Sequence, residues 1–158
     1  MTQPSTTAAS AKAVPGDSVD AVQQALGAEH AAIWIYGLVS AFLPAAFNNP
    51  LNEGVTAHRA RRDTLERALT AAKVEPRPPE AAYVSPKPVT DQASSLAVLA
   101  IAESDATVAW RSVLEHTDDA DLRKTALEAL TSSAVRATRW RKTAGATPAH
   151  TIMPGKPS

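Results

Sequence analysis

Five side chains with chemical capacity, Glu29, His58, Arg62, Glu103 and Arg136, interrupt stretches whose neighbours at helical spacing are apolar. Facing carboxylates can hold hard cations or share a proton, and an imidazole can ligate a metal or carry charge. A guanidinium can stand where a cation would and donate a forked pair of hydrogen bonds to a carboxylate. Other chemistries are closed. The chain has no cysteine, which removes thiolate nucleophiles, thiolate zinc sites and disulfides. It contains no Gly-x-Ser-x-Gly elbow and no P-loop. The remaining histidines, His30, His116 and His150, lack metal-ligand spacing and are expected at the surface.

Helices must position these groups. Alanine occupies 33 of 158 positions while aromatic residues make up only 4%, a composition that favours helix over strand. Punctuation brackets four segments. Asp17 can cap a helix running to about Leu43, before Pro44, Asn48, Asn49 and Pro50. A second spans about Leu51 to Lys73, and a third starts from a Thr90 cap and reaches about His116. Asp118 or Asp119 caps the fourth, which Gly145 ends. Residues 1–16 read as a disordered tail, 17–145 as the bundle, and 146–158 as an irregular tail.

Connection lengths fix the topology. The first and third links are tight and imply antiparallel hairpins, whereas the link from Val74 to Val89 is proline-rich and can reach about 50 Å when extended. That suffices to traverse a bundle whose helices are about 35 Å long. The expectation is an all-α, ferritin-like four-helix bundle, two antiparallel hairpins joined by a long proline-rich crossover. Tyr83 is expected to anchor the crossover.

Seven-residue spacing then aligns the polar interruptions. Helix one brings Glu29 between Leu26 and Tyr36; helix two brings His58 and Arg62 between Leu51 and Leu65; helix three brings Glu103 between Leu99 and Trp110; helix four brings Arg136, with Ser132 and Ser133 nearby. All fall near mid-height. A ferritin-like di-metal centre needs one Glu from each of two helices and Glu-x-x-His from each of the other two. Glu29 and Glu103 match the lone glutamates, but helices two and four have no Glu-x-x-His. Two Glu and two Arg sum to zero, so the expected centre is a network of ion pairs, Glu29 with Arg62 and Glu103 with Arg136, beside a hydrogen-bonded His58.

Several strings carry a resemblance: AEHAAIWIYG, HRARRDTL, AAYVSPKPV, AIAESDATVAWRSVLEH, SSAVRATRWR and the late MPG. In this order they resemble the actinobacterial ferritin-like proteins grouped as the DUF4439 domain, over about Asp20 to Gly155. The resemblance implies a ferritin-like fold in a bacterial cytosolic protein and assigns no activity. Of the di-metal pattern it carries over only Glu29 and Glu103, with His58 as an imidazole ligand.

Function is correspondingly open. The leading expectation is a non-enzymatic module with a degenerate di-iron site, no cofactor, and a protein partner of unknown identity. The alternative is a metal-binding oxidoreductase using Glu29, His58 and Glu103 with iron or manganese. A third option is a pocket in which Arg62 and Arg136 hold a carboxylate or phosphate. Charge balances at 16 basic against 16 acidic residues, which offers no general attraction for nucleic acid or an anionic membrane. VRATRWRKTAG looks like a nucleic-acid contact, but the same helix opens on Asp118, Asp119 and Asp121, and acid first with base last suits the helix dipole. The uncharged run from Ala31 to Phe47 is shorter than the roughly 20 residues a membrane span needs and contains Pro44. Residues 1–16 are a Ser/Thr/Ala/Pro mixture without the apolar core of a secretory signal, so a cytoplasmic location is expected. Trp34, Ile35, Leu38 and Phe42 broaden the apolar face of helix one, which predicts a homodimer through that helix.

Overall fold

The structure, a computed structural model, describes residues 10–157. A 3-10 turn, Gly16–Ser18, leads into α1 (Val19–Val39); a second, Ala45–Phe47, leads into α2 (Asn48–Ala71); α3 (Gln92–Glu115) and α4 (Ala120–Thr143) follow. Helices α1 and α2 form one antiparallel hairpin, α3 and α4 the other, and α1 packs along α3. The remaining side, between α2 and α4, is spread wider. Among the described residues there is no strand, and no helix is long and apolar enough to cross a membrane.

Helix ends follow local chemistry, with small shifts from expectation. Asp91, one residue beyond Thr90, caps α3: its carboxylate accepts the Ser94 N–H at 2.8 Å, and the Ser94 hydroxyl accepts the Asp91 N–H at 3.1 Å. Asp119 caps α4 by accepting the Leu122 N–H at 2.9 Å. Asp17 does not cap α1; it lies in the 3-10 turn, where the neighbouring Ser18 hydroxyl donates 2.9 Å to the His116 carbonyl. Helix α2 begins at Asn48, before Pro50, because a proline in the first turn loses only an N–H that had no helical partner. Conversely α1 stops at Val39, and Ser40 to Leu43 unwind ahead of Pro44, which disfavours helical geometry in the residue before it.

The crossover, residues 72–91, is held by specific contacts. Gln23 on α1 pairs with its backbone at two points, donating 2.7 Å to Glu75 O and accepting the Arg77 N–H at 2.7 Å. His30 Nε2 lies 3.1 Å from Arg77 O, so this histidine, expected at the surface, is buried beneath the crossover. The Tyr83 ring packs 5.6 Å from that of Trp34. The chain itself thus covers part of the α1 face expected to meet a partner.

Part of the expected N-terminal tail is also structured. Val14 is buried against α2, its N–H 3.2 Å from Ala68 O, and Lys12 reaches Asp119 at 2.6 Å and Asp121 at 2.9 Å. The buried Val14 side chain and the Lys12 ion pairs hold this short strap against the bundle. Positions 1–9 of that tail lie outside the described residues. At the other end, 146–157 is irregular yet seated, because Gly155 lets the backbone approach Thr107 O on α3 where a Cβ would collide.

The apolar core forms two clusters. One, near the start of α1, centres on Leu26, Leu65, Leu69, Trp110 and Val113; the other, near its end, centres on Tyr36, Leu51, Leu96, Leu99 and Trp140. Between them lies a polar layer.

Candidate functional site

Each helix contributes to that layer from one face. On α1, Glu29 follows Val22 and Leu26 and precedes Tyr36; on α3, Glu103 lies between Leu99 and Trp110. His58 sits on α2 four residues after Gly54, against whose bare Cα the Tyr36 ring packs, leaving no space for a Cβ. Glu29, His58 and Glu103 are fully buried. Such groups must find partners, since desolvated charge is costly.

His58 is the centre. Its Nδ1 is 2.6 Å from Glu29 Oε2 and its Nε2 is 3.1 Å from Glu103 Oε1. With Glu103 Oε1 also accepting from the Tyr36 hydroxyl at 2.5 Å and Arg136 Nε at 2.9 Å, that oxygen is an acceptor throughout. Nε2 therefore donates to Glu103; Nδ1 faces Glu29 Oε2, and a ring that donates to both is an imidazolium. Burial alone would lower the His58 pKa, but the hydrogen bonds and charges of Glu103 and Glu29 outweigh it and raise it. Likewise burial works to raise the Glu103 carboxyl, while His58, Arg136 and Tyr36 together bring it down to about 2. The Tyr36 hydroxyl is pushed up, first by burial and then by the adjacent Glu103 charge.

Glu29 completes its shell with Trp110, whose Nε1–H donates 2.6 Å to Oε1. Arg61 Nη1 stands 3.6 Å from the same oxygen and donates to Ser133 Oγ at 2.9 Å. Arg136 Nη2 donates to Ser132 Oγ at 2.9 Å, and Trp140 Nε1 donates 3.1 Å to the Tyr36 hydroxyl. One polar side-chain atom among the described residues is buried without a partner, Glu103 Oε2.

The expected pairing of Glu29 with Arg62 is not formed. Arg62 turns outward and binds its neighbour Asp63, Nε at 2.8 Å and Nη2 at 2.8 Å from Oδ1. Residues 61 and 62 flank the inward direction of α2 on opposite sides. Position 62 falls on the α1 side, where Arg62 pairs with Asp63; position 61 falls on the wider α4 side, where Arg61 reaches toward Glu29. The cation between the two glutamates is accordingly a histidine, with arginines at its edge. Tyr36 and Trp110 were legible only as apolar stripe members. Their signal was depth, because buried Tyr and Trp at the level of an ionic layer bring a polar tip that needs a partner.

The arrangement matches a di-metal ligand shell poorly. Both imidazole nitrogens are engaged by carboxylates, three of the four glutamate oxygens already accept hydrogen bonds, and three cationic side chains surround two anionic ones. A divalent ion would raise that excess and displace His58 from both glutamates. Among the described residues no group of three His, Asp or Glu side chains has metal-holding geometry.

The comparisons with known proteins agree with the fold. The family model described as "Domain of unknown function (DUF4439)" matches residues 21–158. A solved structure of a conserved hypothetical protein from Mycobacterium tuberculosis is 38% identical, covering 82% of this chain and 99% of that one, with a TM-score of 0.78. No curated protein matches the chain.

Proposed function

The chain belongs to the DUF4439 family, and from that premise we propose a non-enzymatic ferritin-like module whose metal position is taken by an imidazolium and which acts through its surface on a protein partner. The observation that carries this reading is His58, bonded on one nitrogen to Glu29 and on the other to Glu103. Both carboxylates of the layer have cationic partners within the chain, and hydrophobic clusters lie on either side of it. Reconstitution with ferrous iron or manganese followed by elemental analysis tests it. The expected content is well below one atom per chain; about two atoms per chain overturns it.

One atom favours a second reading, a metal binder or oxidoreductase using Glu29, His58 and Glu103. Glu103 Oε2 is buried and unpartnered, an acceptor able to take a further ligand. Such a site would require the His58 ring to release a glutamate. Loss of iron uptake in Glu103→Ala, together with an oxo-bridge absorption in the parent chain, would establish it.

For self-association through α1, the face beyond the crossover offers Leu38 and Phe42, the latter 37% exposed. Light scattering at micromolar concentration is expected to give twice the chain mass, and a monomer mass removes the dimer.

A further inference from the structure

The outer edge of the ion layer is chemically unfinished. Three sides of the bundle are closely packed; across the fourth, between α2 and α4, Arg61 of α2 reaches Ser133 of α4, while Arg136 of α4 reaches Glu103 on α3 and Ser132 on its own helix. Arg61 is held by Ser133 and Arg136 by Ser132, and the two cations are near enough to repel one another. Their inward N–H groups are used. Their other N–H groups, Nε and Nη2 of Arg61 and Nη1 of Arg136, make no hydrogen bond or ion pair among the described residues.

Charge points the same way. Glu29 and Glu103 face two guanidiniums, Arg61 and Arg136, as well as the His58 ring. Arg61 is the least compensated. It is only 12% exposed, and the one carboxylate within ion-pair range stands at 3.6 Å, longer than a hydrogen bond. Burial and repulsion from Arg136 both lower its pKa. A near-buried guanidinium without a bonded anion is costly, and the natural complement of a guanidinium fork is a planar or tetrahedral oxyanion.

We propose that the seam between α2 and α4 is an oxyanion site, in which a carboxylate or phosphate group of a small ligand bridges the outward N–H groups of Arg61 and Arg136 above Ser132 and Ser133. The site rests on the metal-free reading of the layer beneath it, since a divalent ion there would change the charge count.

Titration calorimetry with inorganic phosphate and, separately, acetate tests the site on chain whose metal content has been measured. Expected is saturable binding of one anion per chain, retained in Arg62→Gln, which removes the same charge from the outer face, and weakened at least tenfold in Arg61→Gln. Binding of acetate alone assigns a carboxylate ligand, and binding of phosphate alone a phosphoryl one. Absence of saturable binding of either anion, or equal affinity in Arg61→Gln, overturns the site. Should Arg61→Gln fail to fold, phosphate titration of the parent chain followed by NMR must move the Arg61 and Arg136 Nε–H signals and leave Arg62 unmoved; the reverse pattern overturns it. Uptake of two metal atoms would sink the metal-free reading by itself, whereas a metal-free chain that ignores both anions would sink only the seam.

Discussion

Glu29 and Glu103, on antiparallel helices α1 and α3, are joined through a single imidazole: Glu29 Oε2 is 2.6 Å from one nitrogen of His58 and Glu103 Oε1 is 3.1 Å from the other. Two buried carboxylates repel unless a cation lies between them, and here the cation is covalently part of α2. The ring therefore fixes the height at which α2 meets the α1–α3 pair.

Removing that cation should be among the most damaging single changes. His58→Ala takes the bridging cation from between two buried carboxylates, leaving them only Arg136 and the more distant Arg61, and is expected to cost about 3–5 kcal/mol. Urea denaturation measures this from the midpoint shift at constant slope. A loss under about 1 kcal/mol would mean that the carboxylates take up protons or water with little penalty.

The two arginines expected from the sequence to pair with the glutamates should separate cleanly. Arg136→Ala strands Glu103 without its 2.9 Å partner and is expected to cost about 3 kcal/mol or more. Arg62→Ala removes an outward pair with Asp63 and should stay within about 0.5 kcal/mol. Equal effects in thermal melts would contradict the placement of Arg62 outside the core.

Stability should peak in mildly acidic solution. Glu103 titrates at about 2 in the folded chain against an ordinary 4.5, so its contribution is complete above pH 4.5 and fades as pH falls toward 2. His58 is raised above its ordinary 6.5, so its contribution is complete below pH 6.5 and is lost as pH climbs through the folded value. Both are intact between about pH 4.5 and 6.5. Denaturant midpoints collected from about pH 2 to 9 should show that plateau, and His58→Gln should flatten its alkaline side; an unchanged alkaline side would place the proton elsewhere.

Packing at Gly54 is predicted to be as exacting as the ion pairs. Gly54→Ala puts a methyl group into the Tyr36 ring and must move the hydroxyl that binds Glu103 and accepts from Trp140. The expected cost is about 1–3 kcal/mol from overpacking. Tyr36→Phe, which keeps the ring and deletes the hydroxyl, should cost about 1–3 kcal/mol by leaving Glu103 and Trp140 short of a partner. If Gly54→Ala is neutral while Tyr36→Phe is not, the ring has room to shift.

Much of the molecule was written in local pattern. Alanine content, proline punctuation and the length of the 74–89 link determined four helices, their pairing and the crossover, because helix formation and chain reach depend on nearby residues. Seven-residue spacing placed Glu29, His58, Glu103 and Arg136 at one level for the same reason. It chose Arg62 where the structure brings Arg61 to the layer, since both lie beside the inward direction of α2. The selection of Arg61 belonged to the separation of neighbouring helices, close at α1 and wide at α4. Tertiary structure also made His58 the bridge between the carboxylates, turned Tyr36 and Trp110 into donors, and buried His30 under a crossover distant in sequence. Periodicity tells which residues face inward, but the partner that each one meets is set by segments that approach from elsewhere in the fold.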